Sequence, residues 1–117
     1  MELRVFRSIL SVGSLLTLLG CGEYSVASSS GRLLIEHYQC GTCNQVPGVN
    51  GAAGRVAVTL ESFGLRSYIA GDVPNTHENL VRWIMDPHAV VPGTLMPDMG
   101  VTLTDAQQIA TYLRQLR

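Results

Sequence analysis

The chain has 117 residues, a length that allows one small folded domain and leaves no room for a second. Apolar residues make up 46% of it and charged residues only 15%, the net charge is −1, and there is no lysine. A chain with this balance cannot neutralise a run of phosphates, which excludes nucleic acid as a partner. Much of the apolar excess lies in the first twenty residues, so that segment differs in kind from the rest.

Residues 1–20 have the order of a secretory signal: a positively charged start, an apolar stretch and then a small residue. The segment is too short and wrongly flanked for a membrane-spanning helix. The run Leu18-Leu19-Gly20-Cys21 resembles the lipobox of bacterial lipoproteins, in which the cysteine is acylated and becomes the new N-terminus. The alternative is an ordinary signal peptide that leaves the cysteine as an unpaired thiol.

The lipobox resemblance implies that Cys21 carries a lipid that holds the protein to the periplasmic face of a bacterial membrane, in the cell envelope. Gly22 follows, where an aspartate would indicate retention at the inner membrane, so the outer membrane stays open as the destination. Residues 21–30 are mostly small and polar and are predicted to form a flexible tether. The folded domain is expected over residues 31–117.

Capping residues and helix breakers predict short helices joined by long loops. The predicted helices begin at Ser30 and run toward Cys40, occupy residues 66–70, begin at the capping box 75–78 and end before Pro87, and begin at the capping box 104–107. Glycines and prolines predict loops over residues 45–63 and 90–100. No strand alternation competes, so the predicted fold class is all-α, with 3–4 short helices and long Gly/Pro-rich loops.

Residues 40–43 form a CxxC motif, and a histidine in place of Asn44 would complete the attachment signature of c-type haem.

Met96 lies just before a proline in an irregular loop. A thioether on a stiff loop is what a distal ligand of haem iron requires. The alternative for Met96 is that it simply fills the core.

Ten segments occur in the order in which one protein family has them: residues 31–35, 40–43, 46–48, 66–71, 74–76, 78–84, 86–87, 92–94, 96–97 and 109–113. On these segments the chain resembles a class I c-type cytochrome of the small monohaem bacterial kind, similar to the cytochrome c domains fused to some terminal oxidases. The resemblance covers the whole expected domain. It implies a fold in which the first and last helices cross and enclose haem, and an electron carrier rather than an enzyme in its own right.

The resemblance also implies a set of site residues. Cys40 and Cys43 would form thioether bonds to haem c, and Met96 would be the distal iron ligand. The side chains implied at the haem edge or beside its propionates are Arg66, Tyr68 and Trp83. The implied partner is a component of a respiratory chain, reached at the membrane surface.

Two departures from the family concern the proximal side of the haem. Asn44 stands where the family has the histidine that ligates iron, so the proximal ligand is unknown. Val58 stands where the family has a proline whose carbonyl orients that histidine. The ligand and its orienting contact are therefore expected to be lost together.

Three hypotheses follow for the CxxC motif. In the first, the protein binds haem and transfers electrons, and His37 is considered as a substitute ligand. In the second, a haem-free cytochrome fold serves as an interaction or assembly module with a dithiol or disulfide. That hypothesis requires neighbouring apolar side chains to fill the haem space, namely Leu60, Phe63, Leu95 and Met99. In the third, His37 and the two cysteines belong to a zinc or redox site, although no fourth zinc ligand is evident.

Overall fold

The computed structural model describes the backbone from residue 22 to residue 117 and the side chains from residue 28 onward. The predicted signal peptide over residues 1–20 and the predicted lipid attachment at Cys21 lie outside the described residues. Among the described residues, no helix is long and apolar enough to cross a membrane. The division of the chain into signal, tether and domain stays a prediction.

The described residues form helices joined by long loops, together with one small β-hairpin. The helices are α1 (Gly22–His37), α2 (His77–Met85), α3 (Pro87–Val90) and α4 (Leu103–Leu113), with 3-10 turns at Cys40–Thr42 and Phe63–Leu65. Helix α1 begins before the predicted start at Ser30, so the backbone of residues 22–30 is helical. The irregular segment predicted over residues 90–100 is confirmed from residue 91 onward, whereas Val90 is the last residue of α3.

Helix α4 packs against both α1 and α2 and forms the centre of the domain. Its crossing with α1 is close because Gly31 lies at the contact. A Cβ built there would lie 2.2 Å from the carbonyl oxygen of Gln108 and 2.8 Å from Cβ of Tyr112. The large, fully buried core side chains include Ile35, Leu80 and Ile109. The first and last helices therefore pack against each other, as expected.

Helix α2 begins one residue later than the capping box predicted. Thr76 is the N-cap, and its hydroxyl accepts a hydrogen bond from the backbone N–H of Asn79 at 3.1 Å. Asn75, the predicted cap, instead donates its side-chain amide to the carbonyl oxygens of Phe63 and Arg66, at 3.2 and 3.0 Å. Asn75, which was expected to cap the helix, therefore stabilises the preceding loop instead.

Helix α4 begins earlier than the capping box at residues 104–107 predicted. Its N-cap is Thr102, whose hydroxyl accepts a hydrogen bond from the N–H of Asp105 at 3.2 Å.

A further short helix, α3, follows α2 at the proline that was predicted to end helical structure. Asp86 caps the short helix α3 by accepting a hydrogen bond from the N–H of Ala89 at 3.0 Å, and proline is well placed at the first position of that helix.

The helix predicted over residues 66–70 is wrong, because this segment forms half of a β-hairpin. Strand β1 (Tyr68–Ile69) pairs antiparallel with β2 (Val73–Pro74). Ala70 and Gly71 have positive φ angles of 50° and 97° at the turn, a backbone that cannot continue a right-handed helix. The fold is therefore mostly helical with a small two-stranded sheet, and the all-α prediction is corrected to that extent.

Candidate functional site

The CxxC motif lies on a tight turn just after α1. Helix α1 ends at His37, short of Cys40, because Gln39 takes a left-handed backbone with φ of 55°. The turn continues with the N–H groups of Cys43 and Asn44, which both donate to the carbonyl oxygen of Cys40, at 3.3 and 3.1 Å. The two cysteines are thus held on a compact turn rather than on a helix.

The loop of residues 54–60 lies across this turn. It is attached by backbone hydrogen bonds in which its N–H groups donate to carbonyl oxygens of the turn. The bonds run from Gly54 to Gly41 (3.0 Å), from Val56 and Ala57 to Cys43 (3.1 and 2.9 Å) and from Leu60 to Gln45 (2.8 Å). The approach is close at Gly54, where an added Cβ would lie 2.5 Å from the carbonyl oxygen of Thr42. The sequence therefore positions this loop as one wall beside the CxxC turn.

Both cysteines of the motif are free thiols and half-buried. Burial raises the pKa of the Cys40 thiol above its ordinary value. At neutral pH Cys40 is therefore held as the thiol, the form with low nucleophilicity. A smaller thiolate fraction disfavours rapid thiol–disulfide exchange at Cys40.

The side chain of Asn44 connects the CxxC turn to the 54–60 loop. Its amide Nδ2 donates a hydrogen bond to the carbonyl oxygen of Val58 at 2.8 Å. The expectation that this contact is lost together with the proximal histidine is therefore wrong. A backbone carbonyl exists at residue 58 whether the side chain is proline or valine, and the asparagine amide supplies the donor.

Arg66 lies at the other end of the same loop. Its guanidinium Nη2 donates to the carbonyl oxygens of Thr59 and, at 3.5 Å, of Glu61. The guanidinium also lies 5.3 Å from the ring centre of Phe63, a cation–π distance. Arg66 is therefore directed at the 54–60 loop and adjoining residues, and its implied role at the haem edge stays a prediction.

The remaining implied site residues come from three separate parts of the chain. Tyr68 is exposed on β1, and Trp83 is half-buried on α2 against the core. Met96 is half-buried, and its N–H donates to the hydroxyl of Thr94 at 3.2 Å. No hydrogen bond of the described residues joins these three to the CxxC turn. Their roles around a haem stay predictions.

Several large apolar side chains face solvent, two of them beside the CxxC turn and one beside Met96. Val56 is 85% exposed and Val58 is 66% exposed, both in the loop whose backbone is bound to the turn. Leu95 is 99% exposed beside Met96. Sequence reasoning named Val58 only for its place opposite the family's proline, did not name Val56, and predicted the exposure of neither side chain. The signal that could have found them is apolar side chains in a glycine-bounded loop that has no helical or strand partner.

The filling expected of a haem-free fold is only partly present. Phe63 is buried in the core, and Leu60 packs against the core from a half-buried position. Leu95 and Met99 are both exposed. Two of the four side chains expected to fill the haem space therefore pack inward. The other two, which flank Met96 in the sequence, do not.

The zinc hypothesis receives no support from the described residues. Among the side chains that the structure describes, from residue 28 onward, no group of three or more histidine, cysteine, aspartate or glutamate residues is placed to hold a metal ion. His37 is exposed and contacts the neighbouring ring of Tyr38 edge-on, with 5.0 Å between ring centres. A shallow open groove of about 190 Å³ beside the turn is lined by residues such as Glu36, Thr42 and Asn50, and it includes neither cysteine of the motif.

Comparison with known proteins finds similarity to cytochromes. The chain is 35% identical over 91 residues to cytochrome c oxidase subunit 2 of Alkalihalophilus pseudofirmus, an alignment that covers 77% of this chain and 26% of that protein. It is 32% identical over 87 residues to the same subunit of Bacillus subtilis, covering 73% of this chain and 24% of that protein. It is 31% identical over 86 residues to the c-type cytochrome cy of Rhodobacter capsulatus, covering 66% of this chain and 43% of that protein.

The chain thus spans about a quarter of the length of the oxidase subunits that it matches, and less than half of the cytochrome. No family model and no solved structure matches it. These similarities, together with the mostly helical fold, make the domain cytochrome-like. They support an electron-transfer role in coarse terms.

Proposed function

We propose that this chain is a haem-binding electron carrier of the class I c-type cytochrome kind, tethered through a lipid on Cys21 to the periplasmic face of a bacterial membrane. The observation that carries the proposal is the exposed apolar surface beside the CxxC turn. Val56 and Val58 face solvent there although their backbone is fixed to the turn. Such a surface indicates that a large apolar group belongs beside it.

A small domain has a small free energy of unfolding, so apolar side chains left in solvent matter to its stability. Burial of apolar surface stabilises by about 25 cal/mol per Å², and a domain of this length has a small core. Solvated valines and leucines forfeit that stabilisation unless another group covers them. A porphyrin is apolar and flat, and covalent attachment at Cys40 and Cys43 would hold it against the 54–60 loop.

The residues fit haem at the attachment and wall positions and do not fit it at the proximal iron position. Cys40 and Cys43 would form the thioether bonds, and Met96 would supply a sulfur ligand on the distal side. Haem would supply one-electron chemistry. A carboxamide at Asn44 is a poor substitute for imidazole as an iron ligand, so no proximal ligand is assigned.

The side chains proposed to lie at the haem edge are able to change their hydrogen-bond partners. Arg66 now donates to exposed backbone carbonyls, and turning toward a propionate would replace those bonds with stronger charge-assisted ones. Tyr68 and Trp83 would offer a phenol O–H and an indole N–H as donors at the same edge. These residues would position the haem and neutralise its charge.

The proposed setting is a respiratory chain at the membrane. The oxidase subunits with similar segments belong to such chains by name, and a redox partner of that kind is proposed for this domain as well. The chain has no lysine and a net charge of −1, so long-range electrostatic steering by a basic surface is weak. The shared membrane would instead keep carrier and partner close.

The second candidate function is a haem-free interaction or assembly module whose CxxC is a dithiol or disulfide. One specific observation favours it: the hydrogen bond from Asn44 to Val58 completes the contact without any imidazole. The exposed apolar surface would then be the site of contact with another protein. The two candidates differ in a property that is directly visible, namely colour.

The test is to produce the full chain in a bacterial host together with cytochrome maturation proteins and to purify it from the membrane fraction. We expect a Soret band and, after denaturation in alkaline pyridine, the spectrum of haem held by two thioether bonds. A double variant, Cys40→Ser with Cys43→Ser, is the matched control and is expected to lose the haem on denaturation. A folded, colourless wild-type protein would contradict the proposal and leave the module.

A further inference from the structure

Two side chains, Asn75 and Arg66, hold the later end of the 54–60 loop. The amide Nδ2 of Asn75 donates hydrogen bonds to the carbonyl oxygens of Phe63 and Arg66, at 3.2 and 3.0 Å. Because both neighbours are carbonyl oxygens, the amide nitrogen and not the amide oxygen has to face them. The backbone N–H of Asn75 also donates to the carbonyl oxygen of Ser67 at 2.9 Å. This short stretch is thus fixed to the segment that leads into α2.

The guanidinium of Arg66 carries this constraint on to the loop. It donates to the carbonyl oxygens of Thr59 and, at 3.5 Å, of Glu61, and it lies 5.3 Å from the ring centre of Phe63. Because Phe63 is buried in the core, its ring gives the guanidinium a fixed contact. Asn75 therefore fixes the backbone from which Arg66 extends, and Arg66 binds the loop.

The backbone between these contacts is strained at Ser62. Its φ angle is 52°, a left-handed conformation that residues with a Cβ adopt at a cost in free energy. Such a residue keeps its conformation where the contacts around it over-determine the backbone. Here Arg66 binds carbonyl oxygens on one side of Ser62, and Asn75 binds carbonyl oxygens on the other. Loss of either side chain is therefore expected to release this stretch of backbone.

The loop that these contacts hold lies across the CxxC turn. The N–H of Leu60 donates to the carbonyl oxygen of Gln45, and the N–H groups of Val56 and Ala57 donate to that of Cys43. Both cysteines of the motif are half-buried. Local opening of a loop exposes what it covers, so a loop released at its later end would make the two thiols easier to reach.

We propose that Asn75 is a positioning residue of the candidate site: through Arg66 it holds the 54–60 loop against the CxxC turn and so limits access to Cys40 and Cys43. The inference deepens the proposed function and rests on it in taking these cysteines as the groups that react. It assigns to Asn75 a role in the site instead of the helix capping that the sequence predicted. The contacts that carry it lie wholly within the chain.

The test uses the full chain, produced without cytochrome maturation proteins and kept reduced, with the folding of each variant checked by circular dichroism. Asn75→Ala and Arg66→Gln each remove bonds that hold the loop, so each is expected to raise the hydrogen-exchange rate of the Leu60 amide about fivefold. The rate at which the thiols react with dithiobisnitrobenzoate is expected to rise in parallel. Asn75→Ser keeps one donor and is expected to have a smaller effect.

Asn79→Ala is the matched control. The Asn79 amide also donates to a backbone carbonyl, that of Pro74, at 3.0 Å, but the bond is not to the stretch that carries Arg66. Both rates are expected to stay at their wild-type values in this variant. An increase equal to that of Asn75→Ala would overturn the inference.

A double variant separates positioning from a purely local structural role. If Asn75 acts through Arg66, then Asn75→Ala combined with Arg66→Gln changes the two rates no more than either single variant, because residues in one chain of contacts are not additive. Effects that multiply in the double variant overturn the inference, and so do unchanged rates in Asn75→Ala. Absence of covalent haem after expression with maturation proteins would overturn the proposed function alone, since both rates are measured on the haem-free chain.

Discussion

The close crossing of α1 and α4 at Gly31 predicts that Gly31→Ala destabilises the domain. The added Cβ would lie 2.2 Å from the carbonyl oxygen of Gln108 and 2.8 Å from Cβ of Tyr112, and a backbone carbonyl cannot rotate away. Overpacking of this kind costs about 1–3 kcal/mol, and a fixed backbone atom at the contact places the cost near 3 kcal/mol. Alanine returns about 1 kcal/mol of helix propensity over glycine.

The net loss is therefore about 2 kcal/mol, because the steric cost exceeds the gain in propensity. For a domain of this size that corresponds to a fall in Tm of roughly 8–16 °C, measured by circular dichroism at 222 nm, a helix band. Ser30→Ala, one residue earlier on the same helix, is the matched control and is expected to leave Tm unchanged or slightly raised. An unchanged Tm in Gly31→Ala would refute the close crossing.

Three further predictions concern stability. Tyr112→Phe removes the hydroxyl that donates to the carbonyl oxygen of Pro47 at 2.6 Å, and urea unfolding is expected to show a loss of about 1–2 kcal/mol. Thr102→Ala removes the N-cap of α4 and is expected to lower the free energy of unfolding by about 1 kcal/mol, whereas Thr102→Ser keeps it. The pKa of Tyr38 is raised, chiefly because its hydroxyl donates to Asp105 at 2.7 Å. The folded state therefore keeps the phenol protonated while the unfolded state ionises above pH ~10, so stability falls as pH rises beyond that value. Tyr38→Phe is expected to flatten this dependence in denaturant titrations at successive pH values, and an equal slope would contradict it.

Helices α2 and α4 were predictable because capping chemistry and breakers are local, whereas the short helix α3 was not predicted. The starts of α2 and α4 fell one or two residues from the predicted caps, since several neighbouring residues could serve. Asn75 shows what decides between them: its amide is used by the carbonyls of Phe63 and Arg66, so Thr76 caps the helix. That choice depends on a loop distant in sequence, and no local pattern contains it.

The hairpin at β1 and β2 shows a second limit. Its turn depends on a positive φ at Ala70 as well as at Gly71, and alanine is not a residue that signals a left-handed backbone. Two-residue strands are too short for an alternating pattern to be recognised. The segment therefore resembled the end of a short helix, although it pairs with residues that follow the turn.

The candidate site was likewise predictable from the sequence only in part. The CxxC turn and the departure at Asn44 are visible in the sequence, and they lead to the haem hypothesis and its alternatives. The bond from Asn44 to Val58 could not be predicted from side-chain identity, because its acceptor is a backbone carbonyl that every residue possesses. Likewise, the exposure of Val56 follows from what surrounds it in space rather than from its own character.

Covalent attachment of haem to this domain, despite Asn44, is what the proposed function requires first. The most direct measurement is the intact mass of the full chain, purified from cells that express cytochrome maturation proteins and denatured before analysis. We expect a polypeptide heavier by one haem, with that mass lost in the double variant Cys40→Ser and Cys43→Ser. A wild-type mass without haem, in protein that is folded before denaturation, would contradict it.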